Sequence, residues 1–201
     1  MPTVVPAKLL RIIGQLIGGK RNPVAQLCCH SMGRPADQRH QHKRLSEQDW
    51  QLWRSLRLEA LGDAPYAFGS TLAQWSGVND REERWRDRLR NSGVAYVCFL
   101  DLQPAGMVAA TPPLDDETEL VSMWVAPPFR GRGVGDQLVA GVVDWASQQR
   151  LGQVRLYVRE MNLAAQHLYQ RHGFIDTGNR CDEMDGLCEM EMALTLSGKR
   201  K

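Results

Sequence analysis

Residues 119–135, ELVSMWVAPPFRGRGVG, decide the fold. An apolar strand, 119–125, runs through Pro127 and Pro128 into a turn crowded with Arg130, Gly131, Arg132, Gly133 and Gly135, and a helical pattern follows directly. A strand that turns on glycines into a helix presents free backbone N–H groups, the positive end of the helix dipole and residues without a Cβ, and together these cradle an anion. The stretch therefore reads as a strand that delivers the phosphates of a nucleotide-containing cofactor to the start of a helix. It matches neither the lysine placement of a P-loop nor the full GxGxxG of a dinucleotide fold.

Working outward, residues 133–149 carry Leu138, Val142 and Trp145 at helical spacing, and 153–158 read as a strand, so strand, helix and strand form a βαβ crossover. A helix over 162–172 stops at Gly173, and strands are expected at 174–177 and 188–196. Upstream, runs at 94–102 and 106–110 suggest a hairpin. Alternation along 119–125 places Glu119, Val121, Met123 and Val125 on one face and Leu120, Ser122 and Trp124 on the other. Ser46 opens a first helix bearing Trp50, Trp53, Leu56 and Leu61, which Gly62, Asp63 and Pro65 stop. Residues 66–71 read as a loop. A second helical region spans 72–90 with a break near Gly77, and its Trp75, Trp85 and Leu89 read as core. Residues 36–44, ADQRHQHKR, offer almost nothing to a core, so a strand there is expected to be frayed or absent.

The 201 residues suit one domain, 43–196, between a basic extension, 1–42, and a basic tail, 197–201. Residues 1–44 hold eight Lys/Arg against one acid, whereas the rest is mildly acidic. A short basic amphipathic helix around Leu9 to Ile17 is one reading of the extension and a poorly ordered segment is the other. Its basic residues are not interleaved with aromatics, so nucleic-acid binding is not expected. No apolar run reaches membrane-spanning length. Five cysteines, odd in number and without a CxxC pair, suggest a reducing cytoplasm and no zinc knuckle. His40 and His42 lack further ligands at metal spacing, so no metal is expected. Cys98 sits in an apolar run without a histidine neighbour and reads as packing, not as a nucleophile.

Two constellations carry a resemblance. Arg130-x-x-Gly133-x-Gly135 follows Val125 and Pro127, and 27 residues after Gly135 comes Asn162-x-x-Ala165-x-x-x-Tyr169-x-x-x-Gly173-Phe174. In order and separation these resemble the two diagnostic motifs of the GNAT superfamily of acetyl-CoA-dependent N-acetyltransferases, over about residues 45–196. Residues 60–71, ALGDAPYAFGST, also look like the acceptor-side helices of bacterial members. The resemblance implies an α/β fold of the mixed α+β kind: a mixed sheet with flanking helices, whose two central parallel strands splay apart around acetyl-CoA as acyl-donor cosubstrate.

By the same resemblance, Arg130, Arg132 and the backbone of Gly131, Gly133, Val134 and Gly135 would hold the pyrophosphate. Asn162 would contact the pantetheine arm, and could equally cap its helix. The backbone N–H near Val125 would meet the oxyanion. Tyr169 would protonate the departing thiolate, with packing as the alternative. Glu119 matches a general base used by some members, and a water chain serves in others. The implied reaction is direct attack of a primary amine, on a small molecule or on a protein N-terminus or lysine. A non-catalytic acyl-CoA-binding module is the alternative. The acidic run Asp115, Asp116, Glu117 and Glu119 hints at a cationic acceptor, and exposed strand edges make a homodimer plausible.

Overall fold

A computed structural model describes residues 40–182 and 188–196. The expectations for residues 1–39 and for the tail 197–201 lie outside the described residues. Seven strands form one mixed sheet in the order β1-β2-β3-β4-β5-β7-β6. In chain order, β1 (His40–Arg44) leads to α1 (Trp50–Asp63), α2 (Leu72–Trp75) and α3 (Glu82–Arg90). The hairpin β2 (Val94–Leu100) and β3 (Gln103–Ala110) precedes β4 (Glu117–Val125). Then come α4 (Val134–Gln148), β5 (Gln153–Arg159), α5 (Leu163–Arg171), β6 (Ile175–Asp182) and β7 (Cys188–Thr195).

The local chemistry that sets these elements is visible. Ser46 and Asp49 form a capping box ahead of α1, and Thr71 with Gln74 forms another at α2. Gly77 adopts φ +60 and separates α2 from α3, as its place in the sequence suggested. The hairpin turns on Asp101 and Leu102, both at positive φ, which matches the twist of the two strands it joins.

Residues 40–44 do form a strand, against the expectation from their polarity. β1 pairs with β2 along its whole length, His40 to Leu100 through Arg44 to Tyr96. An edge strand needs only its backbone ladder and one usable face, and Lys43 and Arg44 on such an edge discourage pairing with another chain. β1 thus starts at His40, ahead of residue 43.

Helices cover both faces of the sheet. On one side α4 lays Leu138, Val142 and Trp145 over Cys98, Val108, Leu120 and Leu156. On the other, α1 and α3 pack Trp53, Leu56, Trp85 and Leu89 against Val97, Met107 and Trp124. Trp85 is fully buried, its ring centroid lies 4.6 Å from that of Trp75, and its Nε1–H donates to Asp80 at 2.8 Å. Hydrogen bonds from Arg54 first and Trp85 next hold the Asp80 carboxyl down at about 2. That contribution to stability is complete above the ordinary aspartate value and is lost as the pH falls toward about 2. Trp85→Ala is expected to destabilise the protein by about 3–5 kcal/mol, seen as a lowered midpoint in urea or heat. A loss below about 1 kcal/mol would place α3 outside the cooperative core.

Candidate active site

The strand β4 carries the site, and a single residue sets its geometry. Ser122 adopts φ 57, rare for a residue with a Cβ, and the β3–β4 register slips there: Met107 faces Trp124 whereas Ala109 faces Val121. Two residues of β4 thus oppose Val108 alone. The bulge reverses the alternation expected from the sequence. Leu120, Met123 and Val125 face α4, while Val121 and Trp124 face α1 and α3, and Glu119 shares their side.

Just ahead of the bulge, β4 leaves β5. The two pair in parallel only from Glu117–Gln153 to Glu119–Arg155, and the remainder diverges into the splay that the resemblance implied. Ala126 N–H bonds the Ala105 carbonyl at 2.9 Å, so Val125, opposite Gly106, occupies a non-hydrogen-bonded position of the β3–β4 ladder. Its N–H and C=O therefore turn away from β3 toward the gap.

The glycine turn closes one end of the gap. Gly131 and Gly133 sit at φ +72 and +80, Gly133 is the N-cap of α4, and a Cβ on Gly131 would meet nothing within 4 Å. The first-turn N–H groups of α4 have no partners within the helix and face this turn. Such a cradle fits the phosphates of a nucleotide cosubstrate. Gly131, Gly133 and Gly135 line the cavity, whereas Val134 packs into the core. Arg130 lines it too, but its guanidinium is engaged by Asp63 and by the Val125 carbonyl at 3.0 Å, which leaves its backbone for the cradle. Arg132 pairs with Asp101 at 3.3 Å and lies over the Phe129 ring, away from the cavity lining.

Behind the turn stands a residue that the sequence reading set aside. His40 Nε2–H donates to the Arg132 carbonyl at 2.9 Å, and its ring lies 3.7 Å from where a Cβ on Gly133 would project. β1 thereby braces the loop between β4 and α4. His42 faces Tyr96, and its burial lowers its pKa. Among the described residues no cluster of histidine, cysteine or acidic side chains could hold a metal.

From the cradle a cavity of about 880 Å³ runs along the splay to the underside of the loop after α1. Asn162, Tyr169 and Glu119 all line it. Asn162 caps α5 through Ala165 N–H at 3.2 Å, so the capping role is real and its cavity position leaves the second role open. Tyr169 is 6% exposed, and burial raises its pKa so far that it keeps its proton. Burial also raises the Glu119 pKa; Arg155 opposes this and Glu191 adds to it. The other members of the acidic run are elsewhere: Asp115 and Asp116, both at positive φ, build the turn into β4. Cys98 is buried in the core, and the loss of water pushes its thiol to about 11. Arg57, Arg88 and Ser122 also line the cavity, and none was marked in the sequence as functional.

A model of the acetyltransferase (GNAT) family matches residues 50–174. An uncharacterized N-acetyltransferase of Methanocaldococcus jannaschii is 31% identical over 85 residues, a match covering 39% of this chain and only 38% of that protein. Among solved structures, a Salmonella typhimurium protein determined with acetyl-CoA as its cofactor aligns with a TM-score of 0.66 at 15% identity, over 81% of this chain and 97% of that one. A spermidine N-acetyltransferase from Vibrio cholerae, in complex with CoA and spermine, aligns with a TM-score of 0.65 at 17% identity, over 79% and 96%. At these identities the structural matches establish the fold.

Proposed function

Because the chain belongs to the acetyltransferase (GNAT) family, and is an acyltransferase, we propose that it moves an acetyl group from acetyl-CoA to a primary amine by direct attack in a ternary complex. The observation that carries this reading is the continuity of one cavity from the cradle at Gly133, along the splay at Val125, to Glu119.

Acetyl-CoA supplies an electrophilic thioester. Its pyrophosphate suits the N–H groups between Gly131 and Gly135, and its pantetheine arm suits the splay beside Asn162. An alkyl amine has a pKa near ~10, so most of it is protonated at neutral pH and a base must take the proton. Glu119 is the base, its pKa raised by burial toward the useful range. The amine lone pair then attacks the thioester carbon, the C–S bond breaks, and the charge that develops on the carbonyl oxygen meets the Val125 N–H. Tyr169, kept protonated by its surroundings, donates to the departing thiolate, and the second proton that the nitrogen sheds as the amide forms restores the phenol. The products are an N-acetyl amine and CoA. A buried, high-pKa Cys98 offers no route through an acyl-enzyme.

Acceptor-dependent release of CoA, measured with a thiol reagent on the purified protein, tests the reading, and two-substrate kinetics should give intersecting lines. Tight acetyl-CoA binding with no release for any amine would leave a binding module in its place. Tyr169→Phe is expected to lower kcat about a hundredfold with an unchanged Kd for acetyl-CoA. An unaltered kcat would return Tyr169 to a packing role.

A further inference from the structure

Arg57 lies within the buried face of α1, between Leu56 and the fully buried Ala60, and is itself 7% exposed. Its Nη2 donates to Ser70 Oγ at 2.8 Å, and its guanidinium carbon stacks 4.3 Å from the centre of the Phe68 ring. Its Nη1 is buried with no hydrogen-bond partner. Arg88 comes from α3 to the same cavity and donates to Ser122 Oγ at 3.3 Å. Burial lowers the pKa of both, Arg57 to about 10 with Arg88 adding like-charge repulsion, and no carboxylate acts on either to raise it. At neutral pH both remain charged.

Four other arginines around this helical layer are matched to carboxylates. Arg54 pairs with Asp80, Arg86 with Glu82, Arg90 with Glu47 and Arg130 with Asp63. Folding tolerates a buried cation readily only beside a counter-charge, and bringing two together without one is doubly unfavourable. A pair of this kind lining a cavity is poised for an anion that arrives from outside the chain.

We propose, resting on the reading of this cavity as an acyl-transfer site, that Arg57 and Arg88 form an anion subsite of the acceptor pocket. The acceptor is then a small primary amine that also carries a carboxylate, phosphate or phosphonate. Glu119 shares the α1 and α3 side of the sheet with these arginines and lines the same cavity, so one end of the acceptor meets a base while the other meets two cations. The bulge contributes as well, since Ser122, the residue it inserts, is the one that holds Arg88. Arg57 is buried against Phe68 and Ser70, so the anion must enter the cavity fully. That favours a small molecule over a polypeptide terminus. It also reverses the hint of a cationic acceptor: a polyamine of the kind bound by the Vibrio neighbour would meet like charges.

The experiment supplies acetyl-CoA and four acceptor classes to wild type, Arg57→Leu, Arg57→Lys and Arg88→Leu. The classes are amino acids, aminoalkyl phosphates and phosphonates, uncharged amines together with spermidine, and a short peptide with a free N-terminus. CoA release is measured, and binding of the same acceptors to CoA-loaded protein is followed by calorimetry. Turnover is expected with the first two classes only, and comparison of those two identifies the oxyanion. Arg57→Leu should raise the acceptor KM about thirtyfold or more, with a smaller change in kcat and a melting temperature equal to or above wild type; Lys should restore part of the loss. Best rates with uncharged amines, spermidine or peptide, unaffected by Arg57→Leu, would overturn the subsite and leave the transferase intact. An unchanged KM with a lowered melting temperature would make Arg57 a structural residue. If no acceptor releases CoA, the transferase reading fails and calorimetry decides the subsite. Binding of an anionic amine that Arg57→Leu abolishes supports it, and no binding of any anionic amine rejects it. Should Arg57→Leu not fold, Arg88→Leu carries the same comparison.

Discussion

Gly133→Asp is expected to raise the Kd for acetyl-CoA more than about a hundredfold, and calorimetry should show no saturation at concentrations that fill the wild type. Two effects act at this position, and their sizes separate. Gly133 sits at φ +80, where a side chain costs about 1–2 kcal/mol, although aspartate tolerates the left-handed region better than most residues. The new Cβ would lie 3.7 Å from the His40 ring, an ordinary contact. Aspartate is also a favoured N-cap, and α4 gains from a negative charge at its start, so the fold should survive. What it does not tolerate is a carboxylate facing phosphates: two charges ~4 Å apart repel by about 4 kcal/mol at the dielectric of a protein surface. Gly133→Ala isolates the strain and should weaken binding far less. If Gly133→Asp binds acetyl-CoA as the wild type does, the cradle does not hold the pyrophosphate.

The same stretch shows how far the sequence could be read. The glycine turn into α4 was legible because prolines and glycines punctuate the chain at positions that only a turn into a helix explains. The direction of the side chains on β4 was not. Alternation assumes one residue per pleat, and nothing in LVSMW marks Ser122 as the inserted one, since serine carries no signature of positive φ. One unseen residue moved Met123 and Val125 to the α4 side and left Trp124 with α1. The first strand was hidden for another reason: composition reports burial, and β1 is held by its backbone ladder and by one histidine bond to the Arg132 carbonyl. Arg57, by contrast, could have been found. An arginine inside the apolar stripe of Trp53, Leu56 and Leu61 contradicts helical patterning, and such a contradiction commonly marks function. The acidic run drew attention because it is contiguous in sequence, yet of its members only Glu119 reaches the cavity.

Glu119→Gln should have the larger effect on turnover, a fall in kcat on the order of a thousandfold with little change in acetyl-CoA affinity. Glutamine preserves the shape and the hydrogen-bonding ends of the side chain but cannot accept the amine proton. In the wild type, burial first of all raises the Glu119 pKa, Arg155 pulls it down and Glu191 pushes it up. The acidic limb of the pH–rate profile should therefore lie above the usual carboxylate range and vanish in the variant, whose residual rate follows the free amine alone. Stability moves the opposite way. A carboxyl whose pKa is higher folded than unfolded costs stability as the pH rises from the unfolded toward the folded value, because only the unfolded chain ionises there. Glu119→Gln removes that loss, so at neutral pH its melting temperature should equal or exceed that of the wild type, and in acid the difference should disappear. A variant that loses both activity and stability would instead make Glu119 a partner that the fold requires, chiefly through Arg155. A variant that keeps its kcat and its acidic limb would give the proton to a water chain.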